Sequence, residues 1–260
     1  MKILITGGNG YIAKSLYCAF LHQYQVTSIT RNDFDLSDKK LVCSWFDNNQ
    51  YDVVIHTAIT GGSRLKEENN SVYENNMKMI NNLHLNKHSF KKLITFGSGA
   101  EIFHKTAYAK SKKDINSIIN STDNWFNLRI FGVFNENELN TRFIKSNIIR
   151  YLKKEPLVIH KNKIMDFFYM SDLISLINFY IKNDDLPKEI NCSYEEKYTL
   201  KNIADIINKL DNYRVPVIIE NKKEFEFYCG DASLPINTVG LKSGITETFN
   251  KLKNNTCIMQ

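Results

Sequence analysis

The chain has few cysteines, and none of them is placed as in a disulfide scaffold or a metal site. The five cysteines are Cys18, Cys43, Cys192, Cys229 and Cys257. They lie far apart, are odd in number, and form no Cys-x-x-Cys or mixed Cys/His spacing. This pattern predicts free thiols in a reducing cytoplasm and no bound metal.

Long apolar runs are also missing, and no stretch of 18 apolar residues occurs. We therefore expect no transmembrane helix and no membrane partner. The first residues, 2–6, run directly into a glycine turn, so we expect them to form a strand and not a signal peptide.

Proline is rare, with four in 260 residues, and no repeat or low-complexity segment is visible. Hydrophobic residues make up 43% of the chain and charged residues 24%, which is typical of a folded globular protein. The net charge of +6 is spread along the chain. Because no basic stripe with interleaved aromatic residues appears, we expect no nucleic-acid partner.

Short apolar runs alternate with helical patterns of ten or more residues over the first half of the chain. The predicted strands are 2–6, 25–30, 52–57, 92–97 and 125–131. The predicted helices between them are 11–23, 71–86 and 108–120. This alternation predicts an α/β fold with a parallel sheet flanked by helices.

After residue 134 the pattern changes to short strand candidates, including 166–170, mixed with helices at 143–152, 173–181 and 200–210. We expect residues 1–134 to form the larger domain. Residues 135–260 would form a smaller α+β lobe, with about 164–183 returning to pack on the larger domain.

A glycine loop joins the first predicted strand to the first helix. It reads Thr-Gly-Gly-Asn-Gly-Tyr-Ile from residue 6. Gly7 would make the tight turn, and Gly10 would let a pyrophosphate approach the helix N-terminus at Tyr11 and Ile12, where free N–H groups favour anions. In this context the loop predicts a Rossmann-type dinucleotide site, although a purely structural turn is an alternative.

The second strand ends in Arg31, with no acidic residue until Asp33. An acid in this region usually holds the ribose 2′-hydroxyl of NAD, whereas an arginine suits the 2′-phosphate of NADP. The sequence therefore favours NADP(H), with NAD(H) possible and a plain surface charge as the alternative. Asp35 and Leu36 lie where the adenine edge would be.

Tyr108 and Lys112 are four residues apart at the start of a predicted helix, and so share one face. An ammonium beside a phenol favours the phenolate and lowers its pKa. Ser98 follows a strand, at the carboxyl edge where parallel sheets bind ligands, and could donate to a carbonyl. Tyr-x-x-x-Lys alone is common by chance, but here it follows the glycine loop and the serine in order.

These features together resemble the extended short-chain dehydrogenase/reductase family, in its nucleotide-sugar reductase/epimerase group, and the matches cover almost the whole chain. GDP-fucose synthase, CDP-paratose synthase and dTDP-4-dehydrorhamnose reductase are the most similar groups. The matching segments beyond those above are 52–58, Asn76, 81–83, 128–131 and 166–172.

The resemblance implies a mechanism as well as further cofactor contacts. Tyr108 would be the acid/base, Lys112 would tune it and bind the nicotinamide ribose, and Ser98 would orient the carbonyl oxygen. Thr57, Ala58 and Asn76 would also contact the cofactor.

The chain departs from the family pattern in the region that would hold the nucleotide. Only nine residues separate Ser98 from Tyr108, which shortens the loop over the sugar. Met165 replaces a frequent arginine and Gly132 a frequent asparagine. Candidates for new substrate contacts are Arg142, Lys145 and Arg150, with a solvated helix face as the alternative for each.

The resemblance implies an NAD(P)-dependent oxidoreductase acting on a nucleotide-diphosphate sugar. We expect reduction of a 4-keto-6-deoxy sugar for surface polysaccharide synthesis. The cysteine that would mark an epimerase–reductase is missing after Ser98, where Glu101 and His104 stand instead. A C4-epimerase, an epimerase–reductase and a non-catalytic NADP(H)-sensing protein are the alternatives, and a homodimer is possible.

Overall fold

The computed structural model describes residues 1–62, 68–103, 105–221 and 226–258. The chain divides into two compact units. Unit 1 comprises Met1–Arg129 and Ile174–Ile190, and unit 2 comprises Ile130–Leu173 and Asn191–Gln260.

Unit 1 is built from strands that alternate with helices. Its strands are β1 (Lys2–Thr6), β2 (Gln25–Ile29), β3 (Tyr51–His56), β4 (Phe90–Ser98) and β5 (Trp125–Ile130). Its helices are α1 (Tyr11–Phe20), α2 (Lys39–Asn48), α3 (Asn70–Leu85), α4 (Ala100–Phe103) and α5 (Ala107–Asn120). The predicted α/β fold with a parallel sheet is confirmed.

The later elements follow in chain order. The strands are β6 (Val133–Phe134), β7 (Leu157–Lys161), β8 (Ile164–Met165), β9 (Phe168–Tyr169), β10 (Glu189–Asn191), β11 (Val217–Asn221) and β12 (Phe227–Tyr228). The helices are α6 (Phe143–Leu152), α7 (Met170–Lys182), α8 (Leu200–Ile207) and α9 (Leu241–Ile258).

One six-stranded sheet organises unit 1, in the order β10-β5-β4-β3-β1-β2. β1 pairs in parallel with β2 on one side and β3 on the other, and β3 pairs in parallel with β4. After β2 the chain crosses back over β1, and β3, β4 and β5 follow on the other side of β1. The strand order therefore reverses at the boundary between β1 and β3. Such a switch point opens a crevice at the carboxyl ends of the two strands, where α/β sheets bind ligands.

Burial explains why the central strands lack polar alternation. Ile3, Leu4, Ile5, Val54 and Ile55 are all fully buried, as expected for parallel strands covered by helices on both faces. One cluster of this core packs β1 and β3 against apolar side chains of α2, α3 and α5.

Unit 2 has its own core and three two-stranded pairings, β11 with β7, β12 with β8 and β6 with β9. Its core contains Ile148 and Tyr151 of α6, Ile203 of α8 and Ile245 of α9. Thr199 begins α8 with a capping box in which its side chain and that of Asn202 bind each other's backbone N–H.

Three local expectations need correction. The predicted strand 166–170 is wrong, because only Phe168–Tyr169 pair there and Met170 begins helix α7. The pattern gave no signal for α2 or for the 18-residue α9. Both helices contain many polar residues, so their apolar stripe is narrow. The units also differ in their bounds from the expected domains. The first part of unit 1 ends at Arg129 and not at 134, and its second part is Ile174–Ile190 and not about 164–183, because β10 forms the edge of its sheet.

Cys18, Cys43, Cys192 and Cys229, the cysteines whose side chains are described, are free thiols. Within the described ranges, no helix combines the length and the apolar character needed to cross a bilayer.

Adjacent lysines at the start of β4 have opposite environments, and this allows a matched test. Lys92 is buried, and its ammonium donates to the carbonyls of Tyr180 (2.8 Å) and Asn183 (2.6 Å) at the end of α7. Lys91 is exposed and pairs with Asp52 at 2.7 Å.

We predict that Lys92→Met lowers the free energy of unfolding by about 1–3 kcal/mol, because it leaves a buried and a half-buried carbonyl without a donor. The variant also loses the ion pair of Lys92 with the exposed Asp184 at 3.0 Å, which contributes little. Urea unfolding measures the change. Lys91→Met, the control, loses only an exposed ion pair and should unfold like the parent. Equal losses in the two variants would contradict this assignment.

Candidate active site

The glycine loop after β1 has the conformation that the fingerprint requires. Gly7 adopts φ +71°, and a Cβ there would lie 2.8 Å from the backbone of Ala58. Gly10 is the N-cap of α1 and offers no side chain to the first-turn N–H groups. A Cβ on Gly10 would have only the Gly7 carbonyl oxygen, at 3.1 Å, as a neighbour among described atoms. The helix N-terminus at Tyr11 and Ile12 therefore fits an anion such as a pyrophosphate.

Thr6 joins the ends of the two strands at the switch point. Its carbonyl accepts from the Thr57 hydroxyl at 2.7 Å, and its own hydroxyl accepts from the Ala58 N–H at 3.3 Å. The same hydroxyl lies 2.9 Å from Nδ1 of His56. Burial, followed by the charge of Lys112, lowers the pKa of His56 to about 3, so this imidazole is neutral. Thr57 and Ala58 are thus held directly beside Gly7.

Arg31 lies on the surface just after β2, with Nη2 3.5 Å from the Thr60 hydroxyl. Asp35 accepts hydrogen bonds from the Ser37 N–H and hydroxyl, which lower the pKa of its carboxyl, and Arg31 lowers it further. Leu36 is buried in the core, and its carbonyl accepts from Asn82 at 2.9 Å. Among the predicted cofactor residues here, the guanidinium of Arg31 is the group open to a phosphate.

Asn76 on α3 is fully buried and fully engaged. Its amide exchanges two hydrogen bonds with the backbone of Thr60, at 2.8 and 2.9 Å, and donates to the Ser111 hydroxyl at 2.9 Å. The side chain therefore fixes the segment after β3 against α5. Its contact with a cofactor stays a prediction.

Tyr108 and Lys112 lie on one face of α5, as their spacing predicts. The Lys112 Nζ is 5.8 Å from the centre of the Tyr108 ring and donates to the Phe96 carbonyl in β4. Burial lowers the pKa of Lys112 to about 8, and the neighbouring Glu101 opposes this shift. At neutral pH the group is therefore still an ammonium, buried next to the phenol.

Ser98 ends β4, two residues after the carbonyl that holds Lys112. Its hydroxyl oxygen accepts from the Ala100 N–H at 3.2 Å, which leaves the hydroxyl hydrogen available for a substrate oxygen. The structure thus places Lys112 and Ser98 at the carboxyl end of β4, with Tyr108 one turn before Lys112 on α5.

Glu101 is the chief residue near the catalytic trio whose role the sequence did not define. One carboxylate oxygen accepts from the Ser98 N–H at 2.6 Å, and the other accepts from Arg129 Nε at 3.2 Å. Burial raises the pKa of Glu101, against the opposing effects of the Ser98 N–H, Arg129 and Lys112. Gly97 makes room for this arrangement, because a Cβ there would lie 2.5 Å from the Glu101 carboxylate.

Glu68 is a second residue that the sequence reasoning missed. Its carboxylate accepts from the N–H groups of Gly62 and Tyr108, at 2.8 and 3.0 Å. The Gly-Gly pair at 61–62, in the loop after β3, was the available signal for a special backbone at this point. His104, the other residue considered after Ser98, lies outside the described residues.

The three predicted substrate cations lie in unit 2, on or beside α6. Arg142 is the exposed N-cap of that helix. Lys145 is buried and donates to the Glu138 carbonyl at 2.6 Å, and Arg150 faces Glu155 at 3.8 Å. Arg142 is therefore the cation most open to a ligand, and the role of each stays a prediction.

Glu138 is a buried acid beside these cations. Burial raises its pKa to about 8, against the lowering effect of Arg142 and Lys145. One of its carboxylate oxygens has no hydrogen-bond partner among the described residues. A cleft of about 520 Å³ elsewhere in unit 2 is formed by 193–198 and 232–243, and no predicted site residue lines it.

Solved structures that resemble this chain share its fold over nearly the full length. The GDP-mannoheptose C4 reductase from Campylobacter jejuni with NADP bound is 15% identical, with a TM-score of 0.80 over 97% of this chain and 98% of that one. The GDP-L-fucose synthetase from Naegleria fowleri bound to NADP is 17% identical, with a TM-score of 0.75 over 98% and 93%. The UDP-glucose 4-epimerase from Thermotoga maritima is 14% identical, with a TM-score of 0.77 over 98% and 100%.

No curated protein sequence matches the chain significantly. The model of the NAD dependent epimerase/dehydratase family matches residues 3–193, which include the glycine loop, Ser98, Tyr108 and Lys112. The expected fold, the expected family and the expected class of NAD(P)-dependent enzyme are confirmed. The chain belongs to the NAD dependent epimerase/dehydratase family.

Proposed function

We propose that the chain uses NADPH to reduce the 4-keto group of a 4-keto-6-deoxy nucleotide-diphosphate sugar. Unit 1 would hold the cofactor, and unit 2 would supply substrate contacts, with Arg142 as the first candidate. The product would be the deoxysugar nucleotide, a precursor of the kind used in surface polysaccharides.

The observation that carries this proposal is the placement of Lys112. Its buried ammonium lies 5.8 Å from the Tyr108 ring centre and is held by the strand that ends in Ser98. A chain that only sensed the cofactor would not need a buried ammonium beside a phenol. Burying such a charge is costly unless nearby groups compensate it, as the Phe96 carbonyl does by accepting from it and Glu101 does by its negative charge.

The proposed chemistry divides among the three side chains. The Ser98 hydroxyl donates to the sugar carbonyl and orients it. The nicotinamide cofactor supplies the hydride that reduces the carbonyl carbon. As negative charge develops on the carbonyl oxygen, the Tyr108 phenol gives it a proton, and the Lys112 ammonium stabilises the phenolate that remains.

The hydrogen bonds of Glu101 favour simple reduction over a combined epimerisation and reduction. An epimerisation next to a ketone needs a group that removes and returns a proton at carbon. Both oxygens of Glu101 are already engaged, one by the Ser98 N–H and one by Arg129. This carboxylate holds Ser98 in place and is poorly placed to act on the sugar.

The choice of substrate class draws on the structural relatives. Two of those described above act on GDP-linked sugars and were solved with NADP. At these low identities the similarity supports a shared fold and not a shared substrate. GDP sugars are therefore only the first substrates to test. The alternative of a C4-epimerase is represented by the UDP-glucose 4-epimerase.

We predict that Tyr108→Phe lowers kcat by roughly 100-fold or more, because the proton donor is lost. The assay follows NADPH oxidation at 340 nm with GDP-, CDP-, dTDP- and UDP-linked 4-keto-6-deoxy sugars. Tyr17→Phe, an exposed tyrosine on α1, serves as the matched control and should keep the parent activity.

Tight NADPH binding without reduction of any of these sugars would refute the proposed reductase. In that case, interconversion of a UDP-hexose at C4 would identify an epimerase, and its absence would indicate a cofactor-sensing protein.

The pH dependence should report the Lys112 ammonium. Its pKa is about 8 in the free protein, so the charged form is complete well below pH 8 and is lost as the pH rises through that value. We predict that kcat/KM for reduction, which reflects the free enzyme, falls along an alkaline limb near pH 8. In Lys112→Arg the guanidinium stays charged, so the limb should move to higher pH. An unchanged limb in that variant would exclude Lys112 as its cause.

Arg31 should determine the preference for NADPH over NADH. We predict that Arg31→Ala raises the Kd for NADPH by roughly 10- to 100-fold, the value of a charged hydrogen bond to phosphate. The Kd for NADH should change little. Lys91→Ala removes a cation near the start of β4, at the amino ends of the parallel strands, and cofactor fluorescence titrations should show no effect. Equal weakening of both cofactors by Arg31→Ala would contradict a 2′-phosphate contact.

A further inference from the structure

We propose that Glu68 is a positioning residue that holds the loop after β3 against the N-terminus of α5 and so fixes the ring of Tyr108. This inference rests on the proposed role of Tyr108 in proton transfer. It concerns a residue that touches neither the reacting atoms nor the cofactor.

The helix N-terminus requires acceptors for its first N–H groups. Thr106 is the N-cap of α5, and its hydroxyl accepts from the Ala109 N–H at 3.2 Å. The N–H of Tyr108 has no acceptor within the helix and is bound instead by a Glu68 oxygen at 3.0 Å. A carboxylate in this position also interacts favourably with the positive end of the helix dipole.

The other Glu68 oxygen holds the loop. It accepts from the Gly62 N–H at 2.8 Å, so one carboxylate links two segments that are far apart in sequence. Burial raises the pKa of the Glu68 carboxyl. The hydrogen bonds from Gly62, Tyr108 and Thr106 outweigh that effect, and the net shift is downward. The link is therefore made by a charged group at neutral pH.

Gly62 packs directly against the Tyr108 ring. A Cβ on Gly62 would lie 2.9 Å from Cζ and 3.0 Å from Cε2 of that ring, and the residue adopts φ +75°. Only a glycine fits this backbone conformation and this contact without strain. The loop thus forms one wall of the space in which the phenol lies.

Two anchors hold the described part of the loop at Thr60 and Gly62. Asn76 binds the backbone of Thr60 and the Ser111 hydroxyl, and Glu68 binds Gly62 and Tyr108. Glu68 is itself placed by the start of α3, since the next residue, Asn69, is the N-cap of that helix. Without Glu68 the loop would keep its Asn76 anchor, but the ring of Tyr108 would lose its fixed wall.

The first test measures the link without using activity. We expect Glu68→Ala to speed hydrogen exchange of the Tyr108 amide by roughly 10-fold, for one charge-assisted hydrogen bond lost. The Lys110 amide, which donates to the Thr106 backbone carbonyl at 2.9 Å, is the internal control and should exchange at the parent rate. Glu74→Gln is the matched control variant, because Glu74 is an exposed acid on α3. Unchanged exchange at Tyr108 would overturn the proposal.

The second test separates positioning from general stability. We expect Glu68→Ala to lower kcat by roughly 10- to 100-fold, since displacement of a reacting group by ~1 Å can cost about 100-fold. The Kd for NADPH and the Tm should stay near those of the parent. Glu68→Gln keeps one acceptor oxygen, so its kcat should lie between that of the parent and that of Glu68→Ala. Gly62→Ala should lower kcat with Glu68 intact, because its methyl group displaces the ring.

The outcomes distinguish this proposal from the proposed function. If Tyr108→Phe stays active, the proposed function is wrong, and the exchange measurement alone still decides whether Glu68 forms the link. If Tyr108→Phe is inactive and Glu68→Ala behaves like Glu74→Gln in both tests, only the positioning role is wrong. A loss of Tm in Glu68→Ala with kcat unchanged would show a merely structural residue.

Discussion

The arrangement of the candidate site depends on one buried ammonium. Lys112 lies in unit 1 out of contact with bulk water, and a charge there is tolerated only when nearby groups compensate it. The Phe96 carbonyl binds it, and the Glu101 carboxylate faces it. The Phe96 carbonyl belongs to β4, and the Glu101 carboxylate also accepts from the Ser98 N–H. The groups that compensate the Lys112 charge are therefore the same ones that position Ser98. Tyr108 follows because it lies one turn before Lys112 on the same helix.

Close backbone approach is the second constraint, and it determines where glycine is required. Gly7 lets β1 turn beside Ala58, Gly97 leaves room for the Glu101 carboxylate, and Gly62 lies against the Tyr108 ring. In each case an added Cβ would come within 3 Å of another atom. These glycines therefore contribute to the site because they have no side chain.

The same contacts bear on the choice between two reactions of the family. Glu101 lies near the catalytic trio and could serve as a proton-transfer group if it were free. Its two oxygens instead hold the Ser98 N–H and Arg129, which in turn binds Glu189 at 2.8 Å. A carboxylate inside such a network holds the backbone of the serine in place. This network is the observation that favours the proposed reduction over an epimerase–reductase.

Local sequence was sufficient for the features that depend on neighbouring residues. Apolar runs defined β1 to β5 to within two residues at either end, the glycine loop identified the dinucleotide fold, and four-residue spacing put Tyr108 and Lys112 on one face. Local sequence was insufficient for α2 and α9, because a narrow apolar stripe is recognisable only once the helix is packed. It was also insufficient for 166–170, where a helix begins after two paired residues. It also gave no role to Glu68, and it left open that of Glu101. Their partners are distant in sequence or lie across a turn, and such contacts are decided only when tertiary packing brings the segments together.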